Sequence, residues 1–176
     1  MGNVPLGAVD PSGLELVWIN KDPVTGRYNK VPEPRGVMLL RASKGAAEML
    51  EKLNSKEVGV IHIYMDVTMR GEKTCSNNED DIFWNPKLWL INGGTGGDSN
   101  PLSIIAHELL HKYHEKTDPD AFRARCQTTY TTGPDKRWSN AEEKLTIKTI
   151  NTWNDFWKFY DINRNDHSVG GWRFKP

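Results

Sequence analysis

The chain is 176 residues long, with 37% hydrophobic and 26% charged residues, which is enough for one compact domain around a buried core. Its 23 basic and 23 acidic residues balance, whereas a nucleic-acid-binding protein normally carries a basic excess that neutralises phosphates. Because no apolar run approaches the roughly 18 residues that cross a bilayer, we expect a globular domain with neither a nucleic-acid partner nor a membrane span.

Residues 1–13, with the sequence MGNVPLGAVDPSG, are rich in proline and glycine. Proline fixes φ and glycine admits positive φ, so such a stretch forms turns more readily than core. We therefore expect the folded domain to occupy residues 14–176.

The same N-terminal stretch resembles the end of the Rhs repeat core, where an Asn-Pro…Val-Asp-Pro-x-Gly-Leu pattern marks the junction with a variable C-terminal domain. The residues that match are Asn3, Pro5, Val9, Asp10, Pro11, Gly13 and Leu14, with Val4 interrupting the usual adjacent Asn-Pro. The resemblance implies that residues 1–13 are the remnant of such a junction and that a Rhs-type scaffold delivers the domain. An ordinary turn-rich terminus is the alternative.

Three segments have the composition of β-strands, at residues 14–19, 58–67 and 80–91, the last with a turn at Asn85-Pro86. The intervening residues 21–36 are rich in proline and are predicted to form a loop. Residues 43–55 place Ala46, Ala47, Leu50 and Leu53 at helical spacing, with Ser43 as a candidate cap. His62 falls on the polar face of the second strand, which favours a structural role. These patterns predict an α+β domain with a mixed, twisted sheet.

A longer helix follows the glycine-rich stretch GGTGGDSN. Asn100 is a candidate N-cap, Pro101 suits the first helical position, and Thr117-Asp118-Pro119 ends the pattern. The predicted helix therefore spans residues 101–116.

This helix carries the motif His107-Glu108-Leu109-Leu110-His111. His107 and His111 lie one turn apart on one face, so both imidazoles can bind one Zn²⁺, and Glu108 can take a proton from a water that the zinc activates. At this composition the motif arises by chance in about one such chain in a hundred. We therefore expect a catalytic zinc site.

A catalytic zinc usually has three protein ligands. His114 shares the face of His107 but lies about two turns away, which is too far for one ion on a straight helix. A second helix is predicted after a Ser139 or Asn140 cap, and its first turn contains Glu142 and Glu143. One of these two carboxylates is the expected third ligand, and the other is expected to support the site or face solvent.

The motif AHELLHKYH followed by AEEKLTI resembles the Glu-zincin metallopeptidases, in particular clostridial neurotoxin light chains. It is also similar to NleD-type effectors and to metallopeptidase domains at the ends of Rhs proteins. The resemblance covers roughly residues 80–150 and implies a zincin-like fold in which Glu143 binds zinc and Glu142 supports the site. This chain lacks the long C-terminal half in which the neurotoxins carry the residues that stabilise the transition state.

The oxyanion donor is therefore sought in the C-terminal segment, where Tyr160 and His167 are the candidate catalytic residues beside Glu108. The two cysteines, Cys75 and Cys126, either form a disulfide or stay free.

These observations predict a zinc metalloendopeptidase that acts as a secreted or delivered toxin on a protein in the periplasm or cytoplasm of a target cell. The resemblance to delivered toxins also implies a cognate immunity protein in the producer. Two alternatives stay open: a zinc amidase acting on peptidoglycan, and a binding module in which zinc is structural. A fourth protein ligand such as His114 would favour the binding module.

Overall fold

The computed structural model describes residues 16–69, 81–92, 99–153 and 169–174. The described elements, in chain order, are β1 (Leu16–Lys21), β2 (Tyr28–Lys30), α1 (Arg35–Met38), a 3-10 helix (Leu39–Ala42), α2 (Lys44–Leu53), β3 (Ile61–Met65), β4 (Asp81–Trp84), β5 (Leu88–Asn92), α3 (Pro101–Thr117), α4 (Pro119–Gln127), a second 3-10 helix (Pro134–Arg137), α5 (Ala141–Thr152) and β6 (Val169–Phe174). The expected mixture of helices and strands in an α+β domain is confirmed.

Four strands form a mixed sheet in the order β2-β1-β3-β4. β3 pairs in parallel with both β1 and β4, and β2 pairs antiparallel with β1. The register aligns Trp18 with Ile63 and Ile63 with Ile82, so these buried apolar side chains form a row across β1, β3 and β4 on one face of the sheet. β5 pairs instead with β6 in a second, antiparallel sheet. The prediction that all three strand segments build one sheet is therefore wrong for β5.

Helices α2 and α3 supply much of the rest of the core. Leu50 and Leu53 of α2 are fully buried, as are Ile105 and Leu109 of α3, and all four belong to one cluster with the buried face of the sheet. β3 alternates between the two faces: Ile61, Ile63 and Met65 are buried, whereas His62 and Tyr64 are half-buried. His62 Nδ1 lies 3.2 Å from Asp81 Oδ1 on the neighbouring strand, which fits the structural role expected for it.

The prediction of a loop over residues 21–36 is wrong in two places, because β2 lies within that segment and α1 begins in it at Arg35. β2 has only three residues, all exposed, and is held by backbone pairing with β1 across a turn at Gly26, where φ is 68°. Neither a three-residue strand nor a four-residue helix is long enough to produce a recognisable hydrophobic period.

The predicted start and end of α3 are confirmed. The Asn100 side chain accepts a hydrogen bond from Ser103 N at 2.8 Å, and Pro101 occupies the first turn. The helix ends at Thr117, where Asp118 interrupts it. Asp118 then caps the next helix, accepting from Ala121 N at 3.1 Å. That helix, α4, was not predicted.

Several predicted features lie outside the described residues: the 1–13 junction, Cys75, Tyr160 and His167. The pairing of Cys75 with half-buried Cys126, the boundary at residue 14 and the roles of Tyr160 and His167 thus stay predictions. Within the described part of the chain, no helix is both long and apolar enough to cross a membrane.

Candidate metal centre

Helix α3 brings His107 and His111 together on one face. Their Nε2 atoms lie 2.9 Å apart, and the two rings meet at right angles with centroids 4.5 Å apart. This is the geometry that four-residue spacing on an α-helix provides. Both side chains are largely buried, with 12% and 10% of their surface exposed.

Helix α5 supplies a carboxylate to the same point. Its first turn is fixed by Asn140, whose Oδ1 accepts a hydrogen bond from Glu143 N at 2.9 Å. The Glu143 side chain then reaches across to α3, with Oε2 3.0 Å from His107 Nε2 and Oε1 3.3 Å from His111 Nε2. His107, His111 and Glu143 each offer one ligand atom, and these atoms lie within 4.8 Å of one another. This largely buried group could hold a metal ion.

The donor set suits zinc. Two imidazole nitrogens and one carboxylate oxygen are the ligand types of many catalytic zinc sites, with metal–ligand bonds of about 2.0–2.2 Å. At tetrahedral angles such bonds separate neighbouring ligand atoms by about 3.3 Å. The two Nε2 atoms are 2.9 Å apart and Glu143 Oε2 lies 3.0 Å from His107 Nε2, both slightly below that spacing, while the 3.3 Å distance to His111 Nε2 is measured from the other oxygen, Oε1. Binding an ion would therefore require the ligand atoms to move slightly apart.

Glu142 occupies the other side of His111. Its side chain is 1% exposed, and Oε1 lies 3.2 Å from His111 Nδ1, 2.6 Å from His114 Nδ1 and 3.1 Å from the Thr146 hydroxyl that donates to it. Its other oxygen, Oε2, accepts a hydrogen bond from Arg125 Nε at 2.5 Å. His114 is thus bound to Glu142 and does not belong to the metal-ligand group.

Two side chains of α4, Phe122 and Arg125, contact residues of the metal centre. The Phe122 ring lies edge-on to the His111 ring with centroids 6.5 Å apart, and Arg125 binds Glu142. Neither residue is predicted from the sequence, because Asp118-Pro119 was interpreted only as the end of α3. The same two residues are also a helix start, since Asp is a preferred N-cap and proline suits the first helical position.

The carboxylates make the centre favourable for positive charge. Burial alone opposes a charged His111, but hydrogen bonds to Glu142 and Glu143 outweigh it and raise the pKa of His111 to about 10. Burial likewise opposes ionisation of Glu142, yet hydrogen bonds from His111, His114 and Arg125 hold its pKa well below the ordinary value. A divalent cation would meet the same electrostatic demand in place of a proton.

Glu108 follows His107 on α3 and is half-buried. Its negative charge acts on His111 and contributes to the raised pKa of that imidazole. It is therefore close enough to the centre to take part in its electrostatics.

No protein-family model matches the chain, and neither a curated protein nor a solved structure shows significant similarity to it.

Proposed function

We propose that the protein is a zinc-dependent metallopeptidase with a zincin-like fold that acts as a delivered toxin. One observation carries the proposal: the Glu143 carboxylate of α5 meets both histidines of the His-Glu-x-x-His motif of α3. His107 and His111 come from one helix turn, but nothing in their local spacing requires a carboxylate from a residue more than 30 positions later. This convergence supports a metal centre more strongly than the motif alone.

The mechanism assigns a separate task to each residue. His107, His111 and Glu143 would hold the ion. A bound Zn²⁺ supplies a polarising charge for the scissile carbonyl and lowers the pKa of water toward 7. Glu108 takes a proton from the attacking water and passes it to the leaving amine, so one carboxylate serves as base and then as acid. Tyr160 and His167 are the proposed donors to the developing oxyanion.

A catalytic centre is favoured over a structural one by the number of ligands. Structural zinc sites are usually closed by four protein ligands, whereas catalytic sites have three. Within the described residues the group has three members, and His114, the candidate for a fourth, is bound to Glu142. This favours an open position for substrate over the binding-module alternative.

The proposed substrate is an extended peptide. β5 lies against α3 and pairs along one edge with β6. A peptide that added to the other edge of β5 would use main-chain hydrogen bonds and run near the zinc helix. Peptidoglycan amide hydrolysis needs the same chemistry and is the second candidate. The Rhs-like residues 1–13 support delivery into a target cell and a cognate immunity protein in the producer.

The Glu108→Gln variant tests the mechanism. It keeps the size of the side chain but removes the base, so we expect unchanged zinc content and a loss of peptide cleavage of about 10²-fold or more. Zinc content by elemental analysis and cleavage of an unfolded protein substrate are the measurements. Full activity in this variant would refute the role of Glu108, and absence of stoichiometric zinc from the parent protein would refute the metal centre itself.

Bacterial growth tests delivery and target. The domain is expressed in the cytoplasm or exported to the periplasm, beside the Glu108→Ala variant. Growth arrest in one compartment, relieved by the variant, is the expected result and identifies where the substrate lies. Arrest only in the periplasm, with fragments of peptidoglycan released by the purified protein, would support the amidase.

A further inference from the structure

The Glu142 carboxylate accepts hydrogen bonds from side chains of three helices. His111 and His114 approach from α3, Arg125 from α4 and Thr146 from α5. A carboxylate has about four acceptor positions, and four donors surround this one. Four such contacts to a side chain that is 1% exposed fix its orientation, because a rotation that broke them would leave buried polar atoms without a partner.

The division of donors between the two oxygens decides which one faces His111. Oε1 accepts hydrogen bonds from His111, His114 and Thr146, whereas Oε2 accepts one from Arg125. Arg125 therefore holds the far oxygen of the carboxylate while the near oxygen stays directed at His111 Nδ1. Without Arg125, Oε2 would be buried with no partner among these four donors, and the carboxylate would gain by turning toward another group.

The orientation of Glu142 affects ion binding, because a neutral imidazole that binds a metal through one nitrogen carries its proton on the other. Binding a metal through Nε2 requires the proton to be on Nδ1, and an acceptor at Nδ1 favours that tautomer and fixes the ring. At His111 this acceptor is Glu142 Oε1. Phe122, three residues before Arg125 on the same face of α4, packs on the same ring.

We propose that Arg125 is a positioning residue for the metal centre: by holding Glu142 Oε2 from α4, it keeps Oε1 on His111 Nδ1 and presents His111 Nε2 to the ion. This inference rests on the proposed metal centre and adds a residue and a helix to it. α4 is then part of the centre even though none of its side chains binds the ion. The planar guanidinium suits this task, because it donates in a fixed direction that an ammonium does not reproduce.

The test compares Arg125→Gln and Arg125→Lys with a matched control, Lys144→Met. Lys144 forms an ion pair of 2.6 Å with Asp135, and its side chain is 24% exposed, against 25% for Arg125. Lys144 also lies in the first turns of α5, so its removal breaks the ion pair of a similarly exposed cation without touching Glu142. A purely structural role for Arg125 predicts that all three variants behave alike.

The first measurement is the dissociation constant of Zn²⁺ for the full chain, by competition with a chromophoric chelator. Loss of a residue that orients a ligand typically weakens metal binding 10- to 100-fold. We expect a loss in that range for Arg125→Gln, a smaller loss for Arg125→Lys, and a change of less than twofold for Lys144→Met. The second measurement is the visible absorption of the Co²⁺-substituted protein, which reports ligand geometry and should change in Arg125→Gln, change less in Arg125→Lys and stay the same in Lys144→Met.

The outcomes separate this inference from the metal centre. If the parent chain binds Zn²⁺ and Arg125→Gln binds it within twofold with an unchanged Co²⁺ spectrum, Arg125 only holds α4 in place and the inference is wrong. If the parent chain itself binds no Zn²⁺, the metal centre is wrong and the inference falls with it. Should Arg125→Gln fail to fold, Arg125→Lys decides, because it retains the charge and alters the direction of donation.

Discussion

At the scale of the residue, Glu142 and Glu143 show how adjacent side chains of one type acquire different tasks. Glu143 lies next to both Nε2 atoms, whereas Glu142 lies next to His111 Nδ1 on the other side of the ring. Successive residues on a helix point about 100° apart, so two neighbouring carboxylates can address the two nitrogens of one imidazole. The pair thus encloses His111 from both sides.

Away from the metal centre, the Asp66 carboxylate is held by several hydrogen bonds that make its contribution to stability depend on pH. It lies just after β3 and accepts hydrogen bonds from Lys21 Nζ at 2.7 Å and from the backbone and hydroxyl of Thr68. Burial acts to raise the pKa of Asp66, but these hydrogen bonds outweigh it and hold the pKa below the ordinary value of 3.8. Its stabilising effect is therefore present above pH 3.8 and is lost as the pH falls through the lower, folded-state pKa.

Asp66→Asn should lower the free energy of unfolding at pH 7 by about 1–2 kcal/mol and make stability less dependent on pH below about 4. Urea unfolding at pH 7 and at pH 3 measures both effects. Glu57→Gln is the control, because the Lys52–Glu57 pair is exposed, with 41% and 78% of the side-chain surfaces accessible, and such pairs contribute little. Equal effects of the two substitutions at pH 7 would contradict the argument.

At the scale of the element, the metal centre depends on where three helices begin. Asn100 fixes the start of α3 and Asn140 that of α5 through side-chain hydrogen bonds to the third residue beyond each cap. Asp118 does the same for α4. A shift of one residue in any of these starts would rotate the following side chains by about 100° and remove a group from the centre.

Gly45 of α2 lies against the indole of Trp153 at the end of α5. A Cβ added to Gly45 would lie 2.8 Å from Trp153 Cδ1 and overlap its indole, and Trp153 is buried in the core. Gly45→Ala should therefore lower the free energy of unfolding by about 1–2 kcal/mol, since overpacking outweighs the better helix propensity of alanine.

Gly36→Ala is the matched control for that substitution. Gly36 is also helical, but a Cβ there would meet nothing within 4 Å. The free energy of unfolding of Gly36→Ala should therefore stay the same or rise by up to ~0.5 kcal/mol. Thermal unfolding of the two variants distinguishes them. A loss at Gly36 equal to that at Gly45 would show that glycine is needed for its backbone freedom and not for the space it leaves.

At the scale of the whole molecule, an ion at this centre would join helices that lie far apart in the sequence. α3 and α5 are separated by α4 and a 3-10 helix, and the ion would add a cross-link between them. Because a metal site of this kind exists only in the folded chain, the free energy of binding also stabilises the fold.

Metal binding should accordingly raise the thermal midpoint. At free Zn²⁺ about 100 times the dissociation constant, the gain is about 2.7 kcal/mol, which corresponds to roughly 5–10 °C for a domain of this size. Differential scanning calorimetry with Zn²⁺ and then with excess chelator measures it. The Glu143→Gln variant should lose most of the gain; an undiminished gain would move the third ligand to another residue.

The sequence by itself predicted the parts of this protein that local patterns encode. The apolar periods of α2 and β3, the caps of α3 and α5 and the spacing of His107 and His111 all depend on residues within about one or two turns of one another. The structure has α2 and α3 within two residues of the predicted bounds, whereas β3 occupies only Ile61–Met65 of the predicted 58–67. The Ser43 side chain, in contrast, makes no capping hydrogen bond to α2. The spacing of apolar residues after residue 140 also predicts that Leu145 belongs to the apolar face of α5, but Leu145 is 38% exposed.

Only the tertiary structure decided what the long-range contacts determine. Periodicity carries no information about which strand pairs with which, so the separation of β5 into a second sheet with β6 was not foreseen. From residue chemistry alone, Glu142 and Glu143 were equivalent candidates, and His114 was excluded only by distance along the helix. The packing of α4 and α5 on α3 placed Glu143 against the two Nε2 atoms, paired His114 with Glu142 and brought in Arg125, because side chains distant in sequence meet only after the helices pack.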